Sequence, residues 1–145
     1  MFILMYYSEL LPELQVSSAE VLRSIEAQAK RHNPDVKVNG VLFYDRGRFI
    51  QLLEGEEGEV WDLYQHISLD HRHHKVELIF FEEVRKQEFE GWNMDVFDIQ
   101  SMDGEPLVAE DLKKFRQVYL RNEKPSAEEV SRWVKRLITQ PEARF

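Results

Sequence analysis

An α+β domain is predicted by three features of this sequence. Short apolar runs with a two-residue repeat alternate with longer stretches of helical repeat, a turn tripeptide joins two of the apolar runs into a hairpin, and the last third carries two helical stripes in succession. The chain has 145 residues, 43% hydrophobic and 32% charged, which suits one domain with a real core. A formal charge of -8 opposes a broad nucleic-acid surface. The absence of cysteine excludes a disulfide framework, a thiolate metal site and a cysteine nucleophile. The cytoplasm is the expected compartment, because the apolar start, Met1 to Tyr7, is too short for a leader and no run reaches membrane-spanning length.

In chain order, Phe2 to Ser8 reads as a strand with Leu4, Tyr6 and Ser8 on one face and Ile3, Met5 and Tyr7 on the other. Pro12 lies in the loop that follows, and Ser17 to Glu20 has the form of a capping box. The first helix then buries Val21, Leu22, Ile25 and Ala29, turns Arg23, Glu26, Lys30 and Arg31 to water, and is expected to stop near Asn33, before Pro34. Asp45-Arg46-Gly47 joins the strands Val41 to Tyr44 and Phe49 to Leu53. Glu56, Glu57 and Glu59 open a second helix with the stripe Val60, Leu63, Tyr64 and Ile67. Val76 to Val84 is a fourth strand, and Trp92 to Asp98 a fifth that places Trp92, Met94 and Val96 on one face. The order β-α-β-β-α-β-β is a ferredoxin-like arrangement with one extra strand. Two further helices, one with Leu112, Phe115, Val118 and Tyr119 inward and one capped by Ser126 with Val130, Trp133, Val134 and Leu137 inward, form a C-terminal hairpin expected on the other face of the sheet.

One residue does not belong on its strand. Gln51 shares a face with Phe49 and Leu53, and a buried amide without partners costs roughly 1–3 kcal/mol. Its bonding partners are therefore the question the sequence poses. Other polar groups have ordinary readings. His66, Asp70, His71, His73 and His74 resemble metal ligands in composition, yet lack the spacing of a zinc site, so a solvated turn is expected. The acidic runs read as exposed faces, and no Ser-His-Asp order, phosphate-cradling glycine loop or Rossmann fingerprint is present.

The run Gly47-Arg48-Phe49-Ile50-Gln51-Leu52-Leu53-Glu54-Gly55 resembles the G-x-F-x-Q-x-L-E-G signature of BLUF domains, the blue-light sensors that use flavin. Further islands follow the family's order: Tyr6-x-Ser8, His32-Asn33, Gly40, Tyr64-x-x-Ile67-x-x-Asp70-x-Arg72-His73, and Trp92-x-Met94. Together they cover residues 1–98, leaving 99–145 as a helical tail that packs on the sheet. Departures from the pattern fall at Lys37, Asn39 and Gln87.

The resemblance implies a flavin held without a covalent bond between the first two helices, FAD in name, with FMN or riboflavin as possible substitutes. It implies Tyr6, Ser8, Ile25, His32, Asn33, Phe49, Gln51, Arg72 and His73 as its contacts. It further implies proton-coupled electron transfer from Tyr6 in blue light, a hydrogen-bond switch at Gln51, and a relay through Trp92 and Met94 to the tail helices. Such a chain is a sensor and not an enzyme. It is expected to form a homo-oligomer, to pass its signal to a separate effector protein with Tyr119 and Trp133 as candidate contacts, and to bind neither nucleic acid nor membrane. Two rival readings keep the fold and change the function: a small hydrolase resembling acylphosphatases that uses Arg72 and Asn33, and a flavin-free adaptor.

Overall fold

A computed structural model of the chain describes residues 1–121, 123–140 and 145, with residues 32–36 described for their backbone alone. The elements are β1 (Phe2–Leu10), a 3-10 stretch (Pro12–Ser17), α1 (Ser18–Val36), β2 (Asn39–Asp45), β3 (Arg48–Gly55), α2 (Glu57–Ser68), β4 (His73–Glu83), β5 (Asn93–Asp98), two 3-10 turns (Ile99–Met102 and Pro106–Val108), α3 (Ala109–Leu120) and α4 (Ala127–Leu137). The five strands form one sheet in the order β4-β1-β3-β2-β5. All neighbours are antiparallel except β2 and β5. This is the ferredoxin-like α+β arrangement with β5 added at one edge.

The β2–β3 hairpin closes on two residues with Asp45 opposite Arg48. Arg46 and Gly47 both take positive φ, at 50° and 90°, the backbone whose twist matches the flanking strands. β1 then lies against β3 with Tyr6 opposite Gln51. Alternation along each strand divides the core in two. Leu4, Tyr6, Leu42, Phe49, Leu53, Met94 and Val96 face α1 and α2 together with Leu22, Val60 and Leu63. Ile3, Met5, Val41, Phe43, Ile50, Leu52 and Phe97 face α3 and α4, which contribute Phe115, Val118, Val130, Trp133, Val134 and Leu137. The helical hairpin thus covers the face that the first two helices leave open.

The expected cap of α4 is present. Ser126 Oγ accepts from the Glu129 N–H at 3.2 Å, and Glu129 Oε1 accepts from the Ser126 N–H at 3.3 Å. The expected box at Ser17 is not. Ser17 Oγ donates instead to the Leu14 carbonyl at 3.2 Å, and the Ser18 N–H bonds Gln15 O, so the 3-10 stretch runs into α1 and its backbone takes the place of a side-chain cap. Nor does α1 stop near Asn33; it continues to Val36, with Pro34 in its last turn, where a missing N–H interrupts little helix.

Candidate functional site

Between α1 and α2, above the sheet, lies a cavity of about 230 Å³. Ile25 and Ala29 from α1, Leu63 and Ile67 from α2, and Leu42 and Phe49 from the sheet make its apolar walls. Its polar groups are Tyr6 and Gln51 from inward strand positions, Gln28 from the middle of α1, His66 from the last turn of α2, and Asp70, Arg72 and His73 from the turn into β4.

Gln51 finds its partners on the cavity floor. The Tyr6 hydroxyl donates to Gln51 Oε1, and Gln51 Nε2 donates to Met94 Sδ at 2.7 Å. Tyr6 is 3% exposed and Gln51 4%. Burial pushes the Tyr6 phenol well above its usual range, with Asp70 and Tyr64 adding to the effect, so Tyr6 is a neutral donor. The thioether of Met94 has no hydrogen to give, which defines the amide's orientation: Nε2 toward sulfur and Oε1 toward the phenol. Turning the amide over would set oxygen against sulfur and make the Tyr6 oxygen an acceptor. The two orientations are chemically distinct, and this one satisfies both neighbours.

Beside this pair, His73 is held at both ring nitrogens. Nε2 lies 2.7 Å from the Ile67 carbonyl and must donate to it, so Nδ1 accepts from Ser8 Oγ at 2.7 Å. Burial lowers the His73 pKa, although the bond to Ile67 and the Asp70 charge oppose this. Ser8, fully buried, thereby finds the partner it needs. Arg72 crosses the cavity mouth. Its guanidinium grips Asp70, with Nε 2.9 Å from Oδ1, and reaches α1 at Gln28 Oε1 (2.7 Å) and Ser24 Oγ (3.4 Å). This contact holds Asp70 below its ordinary value and raises Arg72. An arginine so engaged is not waiting for a phosphate, which disfavours the hydrolase reading.

The structure brings together Tyr6, Ile25, Phe49, Gln51, Arg72 and His73 around the cavity, with Ser8 behind His73 and Met94 behind Gln51. His32 and Asn33 have side chains outside the described residues. Trp92 departs from expectation. It does not share a face with Met94 and Val96 but packs on the α3/α4 side, its ring 6.0 Å from that of Phe97. The cause is a bulge. Gly40 pairs with Asn93 and Val41 with Asp95, so Met94 is an extra residue, in the left-handed region at φ 60°, and strict alternation fails across it.

Sequence reasoning missed several groups. Gln28 lines the cavity and could have been found three residues beyond Ile25 on the same helix face. Glu26, expected to face water, instead holds β5, its Oε2 accepting from the Val96 N–H at 3.1 Å; Lys30 is exposed as expected and also pairs with Asp95 of β5 at 2.5 Å. Tyr119 and Trp133, candidates for contact with a partner, are occupied within the fold. The Tyr119 hydroxyl donates to Asp45 at 2.6 Å, and Trp133 is 9% exposed in the tail-side core. The histidine-rich turn is dispersed, with His66 bonded to Asp62 O, and among the described residues no three potential ligands gather for a metal ion. Nor, among them, is any helix long and apolar enough to cross a membrane.

Comparison with known proteins adds to this geometry. The model of the family described as BLUF, sensors of blue-light using FAD, matches residues 1–95. The chain is 31% identical over 97 residues to the blue light- and temperature-regulated antirepressor BluF of Escherichia coli K12, a match over 67% of this chain and 23% of that protein. Among solved structures, BlsA in its photo-activated state superposes with a TM-score of 0.75 at 22% identity, covering 95% of each chain, a likeness of fold. A bacterial light-regulated adenylyl cyclase superposes with a TM-score of 0.68 at 26% identity, covering 84% of this chain and 34% of that one. The chain therefore spans about a quarter of the antirepressor and a third of the cyclase.

Proposed function

The chain belongs to the BLUF family, sensors of blue light using FAD, and we propose that it senses light through a flavin held non-covalently in the cavity between α1 and α2. Residues 1–98 act as the sensor and 99–145 as a tail that carries the signal. The observation that carries this reading is the buried sequence of bonds from Tyr6 to Gln51 to Met94 on the cavity floor. The residues fit the group. A flavin ring is flat and apolar at one end and carries donors and acceptors at the other, and this cavity has aliphatic and aromatic walls above an amide, a phenol and an imidazole.

Ile25 and Phe49 would enclose the ring, and Gln51, with His32 and Asn33 from the end of α1, would meet its polar edge. Ser8 would hold His73, and His73 with Arg72 would flank the outer end. FAD is the natural occupant, with FMN or riboflavin able to replace it. When bound, the flavin would supply blue-light absorption and, once excited, an acceptor for one electron.

Tyr6 is suited to give that electron. Its proton already rests against Gln51 Oε1, so loss of the electron releases the proton along an existing bond. Gln51 then rotates or tautomerises, exchanging its donor and acceptor faces. With its electron and proton returned Tyr6 would stand as it began, and nothing would be consumed. Turning the amide over would reverse the bond to Tyr6 and break the bond from Nε2 to Met94, and Met94 sits in the bulge of β5 with Trp92 on the opposite face. Met94 therefore passes the change through β5, and Trp92 delivers it to the core beneath α3 and α4. The tail reaches a separate effector protein in the cytoplasm, with the chain itself acting as a homo-oligomer and catalysing no reaction; the cyclase activity named for one relative belongs to a protein of which this chain covers 34%.

The test is the visible absorption of the purified protein before and after blue light, with Tyr6→Phe and Gln51→Glu alongside. Flavin bands that move reversibly to the red in the native protein, and do not in Tyr6→Phe, are the expected result. A colourless protein that takes up no added flavin would sink the assignment, and the flavin-free adaptor would replace it.

A further inference from the structure

A buried carboxylate stands on the far side of the sheet from the cavity, and the light-driven exchange makes no use of it. Glu54 lies on β3 three residues beyond Gln51, so alternation turns it to the opposite face, between Ile3 of β1 and Asn39 of β2. It is 1% exposed. Its two oxygens accept from consecutive backbone groups of the loop between β4 and β5: Oε2 from the Glu88 N–H at 2.6 Å and Oε1 from the Phe89 N–H at 2.8 Å. Both oxygens accept N–H bonds, as those of a carboxylate do; burial raises the Glu54 pKa and these two bonds oppose the rise. A carboxylate kept there does something that an apolar side chain could not do, which is to fix two loop amides at once.

What the loop then fixes can be followed bond by bond. The Phe89 ring is fully buried in the tail-side core, and the Phe89 carbonyl accepts from the Trp92 N–H at 3.1 Å. The Trp92 carbonyl accepts from the Gly40 N–H at 2.9 Å, opposite which β5 begins. Two residues on, Met94 bulges toward Gln51. Gly40 makes room for it: a Cβ there would fall 2.7 Å from the Met94 methyl and 2.3 Å from the Leu52 carbonyl. The same loop is gripped from the tail, because the Glu88 carboxylate pairs with Lys135 of α4. Three parts of the molecule meet at this dipeptide: the strand of Gln51, the strand of Met94, and α4.

We infer that Glu54 is a positioning residue that couples β3 to Met94 and to α4, by holding Glu88 and Phe89 so that Met94 reaches Gln51 and Lys135 reaches Glu88. The inference rests on the proposed photosite for its light-dependent part alone. Displacement of β3 at Gln51 is carried to α4 through Glu54 and the loop, in parallel with the route along β5.

The experiment uses the full chain labelled with methyl-13C methionine, which gives four methyl signals, the Met94 signal being the one lost in Met94→Leu. In flavin-free protein, Glu54→Gln should move or broaden the Met94 signal and leave that of Met5 in place, and Glu54→Asp, whose shorter side chain cannot hold both loop amides where they stand, should move it as well, by less. In flavin-loaded protein the return from the lit state should change about 2- to 30-fold, the range found for residues that modulate coupling without touching a ligand. A Glu54→Gln chain that melts earlier but keeps the native Met94 signal and the native recovery rate overturns the inference, leaving Glu54 as a structural brace. Should Glu54→Gln fail to fold, Glu54→Asp is read by the same two signals, and a native Met94 signal and recovery there count against coupling. Should the native chain bind no flavin, the photosite reading falls, while the methyl signal still decides for or against Glu54.

Discussion

The two faces of the sheet are built from the same strands and bury different chemistry. Under α3 and α4 the layer is closed and aromatic: Phe43 lies 4.9 Å from Phe115 and 5.6 Å from Phe97, ring to ring, and Val134 and Leu137 seal it. Its carboxylates each hold fixed partners: Asp45 holds Arg116 at 3.1 Å and Tyr119 at 2.6 Å, and Glu54 holds the Glu88 and Phe89 amides. Asp103 and Asp45 raise the Arg116 pKa although burial opposes them. Under α1 and α2 the layer is interrupted by the cavity, and the residues at its floor are a phenol, an amide and an imidazole. Apolar contacts are non-directional and have no donor and acceptor to exchange, whereas the Gln51 amide has two distinct faces, each with its own partner. One face therefore supplies most of the packing energy, and the other gives up part of it for bonds that can be rearranged.

That contrast predicts a steep asymmetry in mutational cost. Phe115→Ala, in the closed layer, should lower stability by about 3–5 kcal/mol, read as a drop in the urea midpoint with an unchanged slope. A loss near zero would mean that α3 is not packed as described. On the cavity side the effect is smaller and strongly coupled. Tyr6→Phe or Gln51→Leu alone, measured without flavin, leaves a buried partner unpaired and should cost roughly 1–3 kcal/mol. The double variant should cost less than the two together, because the orphaned groups are removed with their partners; strict additivity would show that the Tyr6 to Gln51 bond is not formed in solution.

The smallest effect belongs to pH. The folded state lowers the His73 pKa from its ordinary value of 6.5, so its contribution to stability is complete above that value and is lost as the pH falls through the lowered one. The stability gap between the native chain and His73→Gln should then narrow on acidification and stay constant above neutrality. A gap that widens in acid would mean that His73 carries its proton in the fold and that the assignment of Nδ1 as an acceptor from Ser8 is wrong.

Much of the site was legible because period-two alternation is a local property. Tyr6, Phe49 and Gln51 all point to the cavity side as their parity requires, and Ile25 follows from the helical repeat of α1. Parity also places Ser8 on the face of Tyr6, but its bond to His73 joins residues 65 apart in the chain, which no local pattern contains. Trp92 was misplaced for a related reason. Parity carries a face assignment along a strand only while each residue pairs once, and the bulge at Met94 breaks that count. Glu26 reads as solvent-facing because its helix position lies off the apolar stripe; it is β5, arriving parallel to β2 at the sheet edge, that gives it a partner, as it does for Lys30, which faces water as read.

The sequence by itself determined the order of elements, the two-residue hairpin turn, the apolar stripe of each helix and the presence of a glutamine where a strand should be apolar. All of these follow from backbone sterics and from which side chains leave water, and both act over a few residues. Only the tertiary structure decided what Gln51 is bonded to, that Met94 and Trp92 stand on opposite faces, and that Glu54 grips the loop leading to them. Those depend on strands distant in sequence being brought within hydrogen-bond reach, where a directional bond either finds its partner or leaves a buried group unpaired.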